Sequence, residues 1–164
     1  MNAIVAVDEN WAIGRENGLL FHLSGDMKHF RTITTNGTVL LGRKTLETFP
    51  GGRPLPERRN IILTSCKAEI PGAELVHSIQ ELLNVAKEED PDQVFVVGGG
   101  SVYTALLPYC KRVYLTKVAA AAAEPDTYFP NLDKLPGWAV EHTSEPMTED
   151  GITYRFVEYI NQNI

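Results

Sequence analysis

The chain has 164 residues, 43% hydrophobic and 22% charged, with a formal net charge of −6. This composition excludes disorder and fibrous repeats and allows one domain with a sizeable core. The acidic balance argues against a general nucleic-acid partner, although a few local arginines can reverse the sign inside one cleft.

Ala3 to Val7 opens the chain as a β-branched apolar run that enters an acidic turn at Asp8. Gly25 to Thr34 reads as a helix, with Met27, Phe30, Ile33 and Thr34 at helical spacing. Thr38 to Leu41 is a strand with a short helix starting near Lys44, and Asn60 to Thr64 is the next strand. Ser78 to Glu88 starts on a capping serine and lines up Ile79, Leu82, Leu83 and Ala86. Gln93 to Val97 is a strand, followed by a glycine turn and a helix from Ser101 to Leu107 that Pro108 stops. Arg112 to Val118 is a strand.

The run Ala119 to Ala123 favours helix by propensity. A strand on one side and Pro125, Asp126 and Pro130 on the other leave little room for one, so the run reads as a strand end passing into a mobile loop. Trp138 to Thr143 and Ile152 to Ile160 are strand-like and flank Glu149, Asp150 and Gly151, where Asp-Gly signals a hairpin. Strands alternating with helices imply parallel crossovers, and the final hairpin makes the sheet mixed: a single α/β domain over residues 1–164.

No apolar run is long enough for a bilayer. The first residues lack the basic start and long apolar middle of a secretory signal. The two cysteines, Cys66 and Cys110, stand in unrelated contexts, which fits a reducing compartment. A cytoplasmic protein without a membrane partner is expected.

Three features carry chemistry. Val94 to Val97, then Gly98, Gly99, Gly100 and Ser101-Val102-Tyr103, form a strand, a glycine turn and a helix start that can bring backbone close to a phosphate. A tight turn touching nothing has the same signature, and the G-x-G-x-x-G fingerprint of the usual dinucleotide site is missing. Gly42-Arg43-Lys44-Thr45 converges cations, a hydroxyl and free amides after a second strand. Cations at a helix start oppose its dipole unless something negative binds. Thr64-Ser65-Cys66-Lys67 adds donors after a third strand. Asp26, finally, lies in the first turn of the first helix on the face of Phe30. It is either a helix-start residue holding free amides or a carboxylate held in an apolar pocket to bind a nitrogen heterocycle. Burial would raise its pKa and the helix dipole would lower it, and the sequence does not rank the two.

In order and spacing these segments resemble bacterial dihydrofolate reductase over essentially the whole chain. The matching pieces are Ile4-Val5-Ala6-Val7-Asp8, Trp11-Ala12-Ile13-Gly14, Leu23-Ser24-Gly25-Asp26 with Phe30, and Leu41-Gly42-Arg43-Lys44-Thr45. They continue through Gly52-Arg53-Pro54-Leu55-Pro56 with Arg58, Asn60-Ile61-Ile62-Leu63-Thr64, and Val97-Gly98-Gly99-Gly100 with Tyr103. Leu115-Thr116 and Asp126-Thr127-Tyr128-Phe129-Pro130 complete the set.

The resemblance implies an eight-stranded, mostly parallel mixed sheet with helices on both faces and an antiparallel C-terminal hairpin. It implies NADPH-dependent reduction of dihydrofolate to tetrahydrofolate, with hydride to C6 and a proton to N5, serving one-carbon metabolism and thymidylate and purine synthesis. Cofactor contacts would come from Ala6, Ile13, Gly14, Gly42, Arg43, Lys44, Thr45, Thr64, Ser65, Cys66, Gly98, Gly99, Gly100, Ser101, Val102 and Tyr103. Substrate and antifolate inhibitors would meet Asp26 as the catalytic carboxylate. Around it would stand Ile4, Val5, Ala6, Leu19, Phe21, Met27, Phe30, Arg31, Leu55, Arg58, Val97, Tyr103 and Thr116, with Arg58 pairing with the glutamate carboxylate. Asp26 would fix the pterin through its exocyclic amine and N3, and the N5 proton would come from water admitted near Asn17 to Leu20. A monomer is implied.

The chain departs from the family pattern where Leu20-Phe21 replaces Pro-Trp and Ser24 replaces Pro, which should loosen the loop closing over the nicotinamide. Two rivals compete. A same-fold pyrimidine reductase of riboflavin synthesis need not keep Asp26, Phe30 and Arg58 together, and a non-catalytic nucleotide-binding module needs no acid in the substrate half. His22, His29, His77 and His142 show no metal-ligand spacing with cysteine or acid, so no metal is expected.

Overall fold

The computed structural model describes residues 1–15, 18–19 and 21–164. The chain runs β1 (Asn2–Val7), β2 (Ala12–Arg15), β3 (Gly18–Leu19), α1 (Ser24–Thr34), β4 (Thr38–Gly42), α2 (Arg43–Leu46), β5 (Arg59–Leu63) and β6 (Ala73–Val76). It continues with α3 (Ile79–Ala86), β7 (Val94–Gly98), α4 (Gly100–Leu106), β8 (Arg112–Val118), β9 (Thr127–Tyr128), β10 (Trp138–Thr143), β11 (Met147–Glu149) and β12 (Ile152–Asn161).

Eight strands lie side by side in the order β10-β12-β8-β1-β7-β4-β5-β6, with the short β11 also paired to β12. From β8 to β6 every neighbouring pair is parallel. Strand β12 runs antiparallel to β8, β10 and β11. The expected mixed sheet with an antiparallel C-terminal end is therefore present, with one correction. The Asp-Gly turn does not join the strand at Trp138–Thr143 to the last strand. It joins β11, pairing Glu149 with Ile152 across Asp150 and Gly151, both at positive φ. Strand β10 instead pairs with the far half of β12, Trp138 opposite Asn161. The small sheet β3-β2-β9 and strand β6 were not expected from the sequence; they are short and carry little periodic signal.

Side-chain alternation assigns the faces. Ala3, Val5, Leu40, Ile61, Val94, Val96, Val113 and Leu115 pack in one cluster with Leu82 and Ala86 of α3 and Val102 and Leu106 of α4. Their neighbours Ile4, Val39, Leu41, Ile62, Phe95 and Val97 form a second cluster with Leu46 of α2 and, from α1, Phe30 and Ile33. Helices thus cover both faces, as expected. Met27, read as part of the inward stripe of α1, is instead 52% exposed. It is one residue beyond the Asp26 face, so the stripe is carried by Phe30, Ile33 and the buried Thr34.

The alanine run forms no helix. Strand β8 ends at Val118 and the chain then crosses to the β1–β2 turn. The fully buried Asp8 organises that crossing: its Oδ1 accepts from Asn10 N at 2.8 Å and Ala12 N at 2.9 Å, and its Oδ2 from Ala122 N at 2.9 Å. Glu9 N adds a bond to Ala120 O at 3.0 Å. Backbone donors taken out of water must be met, and here one carboxylate meets several. Asp8→Ala should therefore lower stability by about 3 kcal/mol, seen as a lower urea midpoint. Asp8→Asn, which can keep the Oδ1 acceptor but turns an NH₂ towards Ala122 N–H, should fall between. An unchanged midpoint for Asp8→Ala would contradict this account.

Candidate active site

A cleft of about 780 Å³ opens at the carboxyl ends of the central strands, between Ala6 of β1, Gly42 of β4, Leu63 and Thr64 at the end of β5, and Val97 and Gly98 of β7. Open α/β sheets place ligand sites there because the strand-to-helix turns diverge. The pairing of β4 with β7 skips a residue, Leu40 facing Val96 and Leu41 facing Gly98, so Val97 is the extra residue beside the cleft.

Asp26 stands in the wall of this cleft together with Gly98, Gly99 and Gly100. Its Oδ1 accepts a 2.5 Å hydrogen bond from Thr116 Oγ1, a buried hydroxyl on β8. Burial holds the Asp26 pKa above the ordinary carboxylate value, and the Thr116 hydroxyl opposes that shift only in part. The helix-start alternative is excluded by the partners. The free amides of α1 are taken by Glu149, whose Oε2 accepts from Ser24 N and whose Oε1 accepts from Gly25 N. Behind this start Leu23, Val118 and Tyr154 form an apolar cluster on which Phe21 also packs, while Phe21 reaches the cleft wall.

At the glycine turn, Gly98 has φ +131°, a conformation that only glycine adopts freely, and the Gly98–Gly99 peptide is cis. A Cβ on Gly98 would lie 3.1 Å from Thr45 Oγ1, and one on Gly100 would lie 2.6 Å from Thr127 Cγ2. Glycine is therefore required by close packing as well as by φ. Helix α4 starts on Gly99 without a side-chain cap, and so does α2 on Gly42, leaving first-turn N–H groups for other partners. Arg43 and Lys44 are exposed at that start and make no ion pair among the described residues. Cys66 N donates to Thr64 Oγ1 at 3.0 Å. The exposed Cys66 thiol has its pKa lowered by the Ala68 backbone N–H and then by Arg43.

The cleft wall contains every residue read as a cofactor contact: Ala6, Ile13, Gly14, Gly42, Arg43, Lys44, Thr45, Thr64, Ser65, Cys66, Gly98, Gly99, Gly100, Ser101, Val102 and Tyr103. Of the substrate set it contains Val5, Ala6, Phe21, Val97 and Tyr103 beside Asp26. Tyr103 donates its hydroxyl to Ile4 O at 2.6 Å, so one lone pair of that carbonyl is already engaged. Burial, and then the nearby Asp26 charge, push the Tyr103 pKa far above its ordinary value.

Phe30, Leu55 and Arg58 lie outside the wall but close together: the Arg58 guanidinium sits 6.0 Å from the Phe30 ring centroid, and Phe30 and Leu55 pack on one cluster. Arg31 and Met27 are exposed on α1, outside the wall. Asn17, Leu20 and the side chain of Leu19 lie outside the described residues.

Sequence reasoning missed several participants. Glu47, Thr48, Leu63 and Thr127 also line the cleft. Asn60, fully enclosed, accepts from Leu55 N and donates to Leu55 O and Arg58 O, all at 2.9 Å, and so holds the loop that presents Leu55 and Arg58. Only its position just before an apolar run hinted at this. Arg58 Nη2 donates to Thr35 Oγ1 at 3.4 Å, while its buried Nε has no partner among the described residues. The histidines hold no metal cluster among the described residues: His77 bonds Thr64 O and His29 stacks on Phe156.

One half of the cleft thus offers amides, hydroxyls and cations suited to phosphates, and the other a single carboxylate among apolar groups. Known proteins resemble the chain in sequence and fold. The chain is 38% identical to a dihydrofolate reductase of Bacillus subtilis, covering 98% of this chain and 94% of that protein. It is 32% identical to one of Staphylococcus haemolyticus, covering 100% and 96%. It also superposes, with a TM-score of 0.85 and 35% identity, on a solved dihydrofolate reductase from Enterococcus faecalis complexed with NADP(H) and RAB-propyl, covering 97% of this chain and 94% of that one. With the dihydrofolate reductase family model matching residues 1–161 as well, the chain belongs to the dihydrofolate reductase family.

Proposed function

We propose that this chain reduces dihydrofolate to tetrahydrofolate with NADPH, in the cytoplasm, as a monomeric single domain. The observation that carries the reading is one cleft bounded by a partly buried carboxylate, Asp26, and by a glycine turn with Arg43 and Lys44 beside it. Unpaired thiols at Cys66 and Cys110 agree with a reducing compartment. No helix of the described residues is long and apolar enough to cross a membrane.

The residues fit the cofactor. Gly98 and Gly100 leave no room for a Cβ, and the three glycines present bare backbone that can approach a dinucleotide closely. Arg43, Lys44, Thr45 and Ser65 hold its phosphates, including the 2′-phosphate, and Ala6, Ile13 and Tyr103 line the nicotinamide end. Bound NADPH supplies the hydride that reduces C6 of the pterin while N5 gains a proton. Asp26 orients the ring through its exocyclic amine and N3, helped by Thr116, with Phe21, Phe30 and Leu55 against the ring and the benzoyl group. Arg58, whose Nε has no partner among the described residues, takes the glutamate carboxylate. Antifolates that present the same donors to Asp26 occupy the same end. The riboflavin-pathway rival gains no support, since the chain keeps Asp26 in the cleft wall and Arg58 against Phe30.

Asp26→Asn should lower turnover with dihydrofolate at pH 7 by about a hundredfold or more, read as loss of NADPH oxidation. The same change should stabilise the fold. Between the ordinary 3.8 and its raised pKa the folded chain holds a proton that the unfolded chain has released, so stability falls as pH climbs through that window. Asn removes this loss, and the gain over wild type should be largest at neutral pH and vanish in acid. Equal urea midpoints at pH 7 would count against the buried carboxylate.

The cofactor half can be read at Cys66. Its exposed thiol should be alkylated readily and protected by NADPH, whereas buried Cys110, pushed up to about 12, stays unlabelled. Arg43→Ala should raise KM for NADPH about tenfold while leaving KM for NADH nearly unchanged. Labelling of Cys66 at the same rate with saturating NADPH would reject the placement of the phosphates.

A further inference from the structure

We propose that Glu149 is a positioning residue for Asp26, clamping the first turn of α1 from the tip of the β11–β12 hairpin. The proposal rests on the reading of Asp26 as the pterin-binding carboxylate.

Helix α1 has no cap of its own, because the residue before its first turn is Leu23 and makes no side-chain capping bond. The cap arrives from 125 residues further along the chain. Glu149 Oε2 accepts from Ser24 N at 2.8 Å, and Oε1 accepts from Ser24 Oγ at 2.8 Å and from Gly25 N at 3.2 Å. Both carboxylate oxygens are used and both residues before Asp26 are held. A proline at position 24 could make neither of the first two bonds, so the clamp depends on serine there.

The hairpin bearing Glu149 is itself anchored. Met147 opposes Tyr154, and Tyr154 opposes Val118 of β8, two residues beyond Thr116. Gly25 permits the closeness, since a Cβ there would fall 2.1 Å from the Tyr154 hydroxyl oxygen. Strand β8 and the hairpin therefore fix Asp26 from two sides, Thr116 at the carboxylate and Glu149 at the backbone behind it. The ionisable groups facing this corner are Glu149, Asp26 and Tyr154, and Tyr154 is held protonated by burial and by both carboxylates. Bonds from Ser24 and Gly25 lower the Glu149 pKa and so extend the ionised range of the clamp towards acid, while burial raises the pKa of Asp26. The clamp is lost only as pH falls through the lowered Glu149 value.

The test follows the Asp26 carboxyl by NMR titration in the wild-type chain and in Glu149→Ala, alongside turnover, NADPH affinity and urea unfolding. Releasing the turn lengthens the Thr116–Asp26 bond, so the Asp26 midpoint should move up. Removal of a nearby negative charge alone would move it down. Turnover should fall about tenfold at unchanged NADPH affinity. Glu149→Gln, which keeps one acceptor oxygen, should recover part of both effects. An Asp26 midpoint that is unchanged or lowered in folded Glu149→Ala overturns the clamp, as does a turnover loss that merely tracks the unfolded fraction. An upward shift in Glu149→Ala, beside a wild-type chain that never oxidises NADPH with dihydrofolate, overturns the proposed function and leaves the clamp standing.

Discussion

The arrangement turns on a carboxylate kept partly out of water without a counter-ion. Among the described residues Asp26 makes no ion pair, and its side chain accepts from the neutral hydroxyl of Thr116. Had a guanidinium stood beside it, its pKa would fall and its hydrogen-bonding capacity would be spent. Left beside a hydroxyl and apolar walls, it keeps a raised pKa and free lone pairs for a ligand that offers N–H groups. Such a group destabilises the empty fold, and the surrounding structure must hold it in place. Hence the attention given by the chain to the start of α1: a cluster of Leu23, Val118 and Tyr154 beneath it and a carboxylate reaching in from a distant hairpin.

Strand alternation decides what that carboxylate can share a cleft with. On β8, Val113 and Leu115 face α3 and α4, which leaves Tyr114 and Thr116 to the face of α1. A slip of one residue would exchange Thr116 for Leu115 and leave Asp26 without its donor. The slip is prevented because β8 is locked on both sides, by β1 over Asn2–Val7 and by β12 over Tyr154–Ile160. The irregular step at Val97 between β4 and β7 then leads into the glycine turn, where packing against Thr45 and Thr127 leaves space for backbone alone.

Much of this was legible in the sequence because it is local. The strands around the centre, the helix spacing at Phe30 and Ile33, the serine cap at Ser78 and the Asp-Gly turn are all set by residues within one element. The misreadings share a cause. Met27 sits one position off the inward face, a difference that periodicity over a short helix does not resolve. Strand β6 and the sheet β3-β2-β9 are likewise too short for a periodic signal, and so is the three-residue β11 that takes the Asp-Gly turn in place of β10. In the cleft, residues that supply donors and charge could be named from their types. Those that hold others in place, Asp8, Asn60 and Glu149, could not, because a buried or bridging polar side chain reads like a surface one until its partners are known.

The charge layout follows from the same constraint. A chain with a net charge of −6 would repel a multiply phosphorylated ligand at most of its surface. Arg59 and Arg112, elsewhere on the fold, are absorbed in ion pairs with Glu74, Glu88, Glu89, Glu141 and Glu158. Arg43 and Lys44 make no ion pair among the described residues, and they stand where the start of α2 makes a cation unfavourable by itself. A phosphate at the turn would relieve that misfit, so the two ends of the cleft make opposite demands: an anion beside Arg43 and Lys44, and N–H donors beside Asp26. A ligand pair with phosphates at one end and N–H donors at the other would meet both demands along one cleft, and that would hold the reacting rings side by side.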